Sequence, residues 1–215
     1  MNITVTGADE RTPGDELDKL ADLGAEIGLL YTHSPDGRNR YPGLGWIIGM
    51  ATRLDGSAAL HVCGLRAREQ FVTGKIDGLV QRVSRVQING SIEASKLKVI
   101  CERWYPKPII TQHSDRMNGD LLNVEIPNHQ ILCDGSGGRG VSPSEWVRPE
   151  TYKPVGFAGG LGPDNLYEQL HLISEVAYGP WWVDMEGRLR DKDDWFNWFK
   201  ASQCVAIIRE WNSQQ

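Results

Sequence analysis

Cysteine is sparse: four in 215 residues, at positions 63, 101, 133 and 204, and no two stand at C-x-x-C spacing. A chain this long with so few cysteines does not carry a disulfide framework. They read as free thiols of a reducing compartment, so a cytoplasmic location is expected. Basic charge is also short. Lys and Arg number 23 against 28 Asp and Glu, a net charge of −5. That removes a surface-wide attraction to nucleic acid or an anionic membrane. A local anion site stays open, because backbone N–H groups bind phosphate without net positive charge. No run of about 18 apolar residues is present, so no membrane span is expected. The opening residues, Met1 to Asp9, lack a basic n-region and a long apolar stretch, so no signal peptide is expected. No Pro/Ser-rich linker or charge block divides the chain, and residues 1–215 are expected to form a single domain. With 40% hydrophobic and 24% charged residues, the composition is that of an ordinary globular protein.

What is present is alternation. Short β-rich runs occupy residues 3–5, 27–31, 58–63, 83–88, 109–110, 131–133, 155–158 and 181–185. Helical spacing fills several gaps, as in Leu17, Leu20 and Ala21 after Thr12-Pro13, and in Leu166, Leu170, Ile173 and Ala177. Trp195, Trp198, Phe199, Ser202 and Val205 follow helical spacing near the end, and the three aromatics are expected to pack that helix. Strand–helix alternation predicts a parallel sheet. Eight units fit a (β/α)₈ barrel near the lower end of its usual size, an open doubly wound sheet is the rival, and periodicity alone does not choose between them.

In an eight-fold barrel, function sits at the C-terminal strand ends. There lie Thr6, His33, Arg38, Arg40, His61, Cys63, Gln87, Asn89, Gln112, Asp134, Asp184 and Glu186. The glycines at 137, 138 and 140, and at 159 and 160, can turn successive N–H groups toward a phosphate, and fit left-handed turns equally well. Asp134, between a buried strand and those glycines, suits a proton donor or a loop cap. His61 and Cys63 share a strand face, which admits an activated thiol or half a metal site. No further ligand pattern joins them, so core packing is the simpler expectation, and no cofactor or metal is expected.

These residues resemble, in order and spacing, the phosphoribosylanthranilate isomerase family. Thr4-Val5-Thr6-Gly7 is similar to the family's K-I-C-G. Gly28-Leu29-Leu30-Tyr31 with Ser34-Pro35 and Arg40-Tyr41 resembles G-F-x-F and S-P-R-Y, with four additional residues at 36–39. Val86-Gln87-Ile88-Asn89-Gly90 resembles V-Q-L-H-G, and Leu132-Cys133-Asp134 with Gly137-Gly138-Arg139-Gly140 resembles L-L-D and G-G-x-G. Phe157-Ala158-Gly159-Gly160-Leu161-Gly162-Pro163-Asp164-Asn165 is similar to L-A-G-G-L-x-P-E-N, the most specific match, and Val183-Asp184 opens as V-D-V-S-S-G-V-E does.

The resemblance implies an eight-fold barrel that performs an Amadori-type aldose–ketose isomerisation of a phosphoribosyl amine, a step of tryptophan biosynthesis. It is an intramolecular oxidoreductase chemistry on a small phosphosugar. It implies a phosphate site at Gly137, Gly138, Gly140, Gly159 and Gly160, and Asp134 as general acid. It implies Arg40, or Arg38 if the additional residues shift the loop, for the substrate carboxylate, with Asp184, Gln87 and Asn89 around the rest of the substrate.

The family's general base is the cysteine of K-I-C-G, and Thr6 stands there. A thiol can be tuned into range, whereas an aliphatic hydroxyl cannot without a strong base beside it. Cys63 is the one thiol to nominate in its place, because Cys133 neighbours an inward Asp134 and so faces out. The S-S-G segment has no clear counterpart; Met185-Glu186-Gly187-Arg188 stands there, and an inward Glu186 would repel phosphate. Classical activity is expected to be weak or absent. Three readings remain: an isomerase with a relocated base, a sugar-phosphate barrel with other chemistry, and a non-catalytic interaction protein. An open pocket around Asp134 favours the first two, and a mouth plugged by side chains the third.

Overall fold

The computed structural model describes residues 1–35, 37–114, 116–134 and 140–215. Eight parallel strands close into a barrel in sequence order. They are β1 (Asn2–Thr6), β2 (Ala25–Thr32), β3 (Ala58–Cys63), β4 (Arg85–Asn89), β5 (Ile109–His113), β6 (His129–Asp134), β7 (Val155–Ala158) and β8 (Trp181–Met185). The pairing of β1 with β8 closes the ring and rules out the open sheet.

Helices on the outside are α1 (Gly14–Asp22), α2 (Leu44–Arg53), α3 (Leu65–Val72), a single turn α4 (Asp77–Val80), α5 (Ala94–Trp104), α6 (Leu166–Val176) and α7 (Trp198–Ser213). Pro13 sits just before α1 in an extended conformation and Asp15 and Glu16 lie in the first turn, where the helix dipole favours acid. The described residues of the β5–β6 crossover hold only a 3₁₀ turn at Gly119–Leu121, and those of the β6–β7 crossover form no helix. Leu121, Ile126 and Trp146 are buried there in place of helices, with the Trp146 ring edge-on to Phe157 at 6.0 Å. Those two reduced crossovers account for eight units fitting so short a chain.

One strand face packs outward against the helices and carries most of the core, including Val5, Ile27, Leu60, Ile88, Ile131 and Phe157. Inside the barrel, the apolar filling is small: Ile110, Leu132 and Trp182, with Ala158 against them. Leu30 and Ala59 are also buried on the inner face, and much of the remaining interior is polar. Arg85 binds Glu26 at 2.5 Å and the Thr4 hydroxyl at 2.6 Å, and its guanidinium lies 4.6 Å over the Trp182 ring. Among the described residues, no helix is long and apolar enough to cross a membrane.

The aromatic expectation for the last helix needs correction. Asn197 caps α7 by accepting a hydrogen bond from Lys200 N at 3.1 Å, which leaves Trp195 outside the helix. That phase turns Ala201, Cys204, Val205, Ile208 and Trp211 inward. Trp198 and Phe199 are 38% and 58% exposed, and Trp195 lies beneath Arg11 instead.

Candidate active site

The strand registers set the geometry of the barrel mouth. Asp134 on β6 pairs with Ala158 on β7, which pairs with Asp184 on β8. The two inward carboxylates therefore share one level, two strands apart, on either side of a methyl group. Two strand spacings put their backbones roughly 10 Å apart. Both line a cavity of about 250 Å³ with His61, Gln87, Asn89, Gln112, Arg40 and Glu186. An open pocket around Asp134 is thus present, and it is small against the ~300–1,000 Å³ of ordinary ligand sites.

Asp134 is buried and its Oδ2 accepts a hydrogen bond from Gln112 Nε2 at 2.7 Å. Asp184 is buried, and its Oδ1 accepts a hydrogen bond from the Thr6 hydroxyl at 2.7 Å. Gly28 makes room for this, because a side chain there would collide with the Thr6 hydroxyl. Burial pushes the Asp184 carboxyl up from 3.8 to about 6, against the pull of Thr6, Arg85 and Gln87.

That shift has a consequence for stability. Between pH 3.8 and 6 the folded chain holds a proton on Asp184 that the unfolded chain releases, so this contribution falls as pH rises and is fully lost above 6. About two units correspond to about 3 kcal/mol. Asp184→Asn removes the effect. The wild-type stability minus that of the variant, from urea unfolding, is expected to fall by about 2–2.5 kcal/mol between pH 4 and pH 7. A flat difference would contradict the buried carboxyl.

Thr6 and Cys63 are not among the residues lining the cavity. Each instead touches a residue that is: Thr6 meets Asp184, and the Cys63 sulfur lies 3.3 Å from Asn89 Nδ2. Burial pushes the Cys63 thiol up to about 12, which keeps it protonated and unsuited to take a proton. The place of Cys133 in the outer core, with its thiol pushed up to about 12, removes it as well. Gln87 Nε2 lies 3.1 Å from His61 Nδ1 and donates to Asn89 Oδ1 at 2.9 Å, locking the cavity floor. Burial holds His61 down to about 4, so it is neutral at pH 7 and a weak base.

The glycine turns gather at one side of the mouth. Gly140, Gly159, Gly160 and Gly187 line the cavity. Gly160 has φ +59°, and a side chain there would collide with the Ser142 backbone, so only glycine suits the turn. Among the described residues, the amides of Gly160 and Gly187 donate no hydrogen bond. Gly137 and Gly138 lie outside the described residues.

Arg40 is placed where it lines the cavity, but it is already engaged. Its Nη1 donates to Glu186 Oε1 at 2.7 Å, and its Nε and Nη2 donate to the two oxygens of Asp194 at 3.1 and 2.6 Å. Glu186 therefore pairs with a cation rather than standing as an isolated charge against phosphate. Arg38 lies 4.9 Å over the Tyr41 ring and does not line the cavity. Behind Arg40, buried Arg190 donates to the carbonyls of Asp194 and Gly7 at 2.7 Å each, and buried Asp9 stands 3.8 Å from it. Sequence reading missed Asp194, Arg190 and Asp9, because they join the mouth through contacts spanning more than 150 residues. Among the described residues, no group of three or more His, Cys, Asp or Glu is placed to hold a metal ion.

A closed (β/α)₈ barrel whose polar cavity opens at the C-terminal strand ends defines the class of the molecule. The solved structures similar to it include phosphoribosyl anthranilate isomerase from Thermus thermophilus, with TM-score 0.69 and 18% identity over 98% of this chain and 100% of that one. TrpF from Jonesia denitrificans matches with TM-score 0.72 and 17% identity over 100% of both chains. A phosphoribosyl anthranilate isomerase in complex with reduced 1-(o-carboxyphenylamino)-1-deoxyribulose 5-phosphate matches with TM-score 0.68 and 15% identity over 98% and 99%. At these identities the likeness establishes the fold. No protein-family model matches the chain, and no curated protein does.

Proposed function

We propose that the barrel is an aldose–ketose isomerase of a phosphoribosyl amine, acting by the Amadori-type chemistry of the isomerases it resembles, on a substrate without the anthranilate carboxylate. The observation that carries this is the pair of inward carboxylates, Asp134 and Asp184, at one level across Ala158 in one cavity. An aminoaldose must gain a proton at its ring oxygen and lose one at C2, and two carboxylates on opposite sides of the sugar meet that need. The cavity, rather than a plugged mouth, supports an enzyme over an interaction protein. The amides of the glycine turns support a phosphate on the side of β6, β7 and β8. A neighbour of the same fold, held with a reduced aminodeoxyribulose phosphate, supports the substrate class.

The distal end of the substrate is set by Arg40. A guanidinium bound by two carboxylates has little left to offer a third. Phosphoribosylanthranilate is therefore converted slowly or not at all, and the adduct of ribose 5-phosphate with unsubstituted aniline is the better probe. The test follows C1-labelled adduct by carbon NMR with the purified chain. The label is expected to move to a C1 methylene beside a ketone; an unchanged aldose signal at saturating protein would overturn the proposal.

Glu186→Gln is expected to release part of Arg40. A hydrogen bond to a charged group contributes about 1.5–3 kcal/mol. The ratio of kcat/KM for phosphoribosylanthranilate over the aniline adduct is expected to rise at least tenfold. An unmoved ratio would show that Asp194 alone keeps Arg40 engaged.

A further inference from the structure

We infer that Asp184 is the catalytic base of this barrel, taking the C2 proton of the opened aminoaldose, with Thr6 as its positioning residue rather than the base itself. The inference rests on the aminoaldose reading above and adds to it the residue that replaces the missing thiol.

The geometry runs through β1 and β8. Thr6 occupies the strand end at which the resembled family carries its base, but its hydroxyl proton is committed to Asp184 Oδ1 at 2.7 Å. A hydroxyl that donates to a carboxylate holds it in one orientation, and a carboxylate is too weak a base to turn that aliphatic hydroxyl into a proton acceptor of its own. Asp184 itself lines the cavity, and Thr6 does not. The proton acceptor has in effect moved from the end of β1 to the adjacent strand, β8.

The groups facing Asp184 are Thr6 from β1, Arg85 and Gln87 from β4, and Asp134 from β6. Arg85 is neutralised beneath it by Glu26 from β2. His61, from β3, is held neutral by burial and is the weaker base of the two, since its value falls to about 4 and that of Asp184 rises to about 6. A carboxylate near 6 is ionised at pH 7 and still close enough to the working pH to be an effective base.

The proton balance closes with two carboxyls. Asp134 gives its proton to the ring oxygen as the C1–O bond breaks and the nitrogen lone pair forms C1=N. Asp184 takes the C2 proton, and the C2–H electron pair forms C1=C2 while the iminium electrons return to nitrogen. The resulting enaminol ketonises as Asp184 returns its proton to C1 and the C2 hydroxyl proton restores Asp134. No external oxidant or reductant enters, because C1 is reduced as C2 is oxidised.

The test uses the full chain and the aniline adduct of ribose 5-phosphate in D₂O. The wild type is expected to form ketose, with an acid limb in kcat/KM near pH 6. Asp184→Asn is expected to lower kcat by about 10²–10⁴-fold, with C2 proton exchange lost to the same extent. A wild type that forms no ketose overturns the functional reading and this inference together. A wild type that turns over while Asp184→Asn keeps its rate overturns the base assignment alone. Thr6→Val serves if the asparagine variant fails to fold. Losing the hydroxyl donor is expected to move the acid limb upward by half a pH unit or more while the high-pH kcat stays within a few-fold. An unmoved limb, with or without a fall in kcat, overturns the assignment.

Discussion

Asp134→Asn is expected to lower turnover of the aniline adduct by about 10²–10⁴-fold, with binding changed only a few-fold. The side chain is buried at the end of β6, and Gln112 Nε2 donates to its Oδ2 at 2.7 Å. Asparagine keeps the shape and can still accept that bond through its carbonyl oxygen. What it lacks is a proton to give the ring oxygen. Without that proton the C1–O bond must break toward a bare alkoxide, and every later step waits on it. The loss should therefore appear in kcat and kcat/KM equally, the mark of an interaction made only in the transition state. A rise in KM at constant kcat would assign Asp134 to substrate binding and leave the acid elsewhere.

The second large effect lies outside the cavity. Asp9→Ala is expected to destabilise the fold by roughly 3–5 kcal/mol, the usual result of breaking a buried charge pair. Asp9 and Arg190 are both buried. Asp9 accepts hydrogen bonds from the backbone N–H groups of Phe196 at 2.6 Å and Arg11 at 3.1 Å, and from the Thr12 hydroxyl at 3.2 Å. Alanine orphans two main-chain donors and leaves Arg190 facing no carboxylate on that side. The urea midpoint is expected to fall by on the order of 1–2 M, with the slope unchanged. A shift under 0.5 M would mean that water enters and satisfies the exposed donors. The same chain of charges continues from Arg190 through Asp194 to Arg40 and Glu186, so the variant should also loosen the distal end of the site.

The barrel was legible because its outward strand faces are apolar, as at Ala58, Leu60 and Val62 and at Val155 and Phe157, within runs whose bounds match β3 and β7. Where a strand carries polar residues into the barrel, its ends were lost. The apolar run of β2 starts only at residue 27, after the inward Glu26, and that of β5 stops at residue 110, short of Gln112, which holds Asp134. Asp134 and Asp184 were legible as positions through the order of motifs. The partnership between Thr6 and Asp184 was not, since it spans 178 residues and depends on the closure of β1 onto β8. The engagement of Arg40 was hidden for the same reason. Glu186 looked like a threat to phosphate only while its cationic partner was out of sight.

The decisive measurement is a crystal structure of the chain with the reduced aniline-derived aminodeoxyribulose 5-phosphate, a stable mimic of the ketose. The carboxylates of Asp134 and Asp184 are predicted on either side of C1 and C2, with the phosphate against the amides of Gly160 and Gly187. A sugar bound with its phosphate away from those turns, or with either carboxylate beyond hydrogen-bond reach of it, would contradict the account.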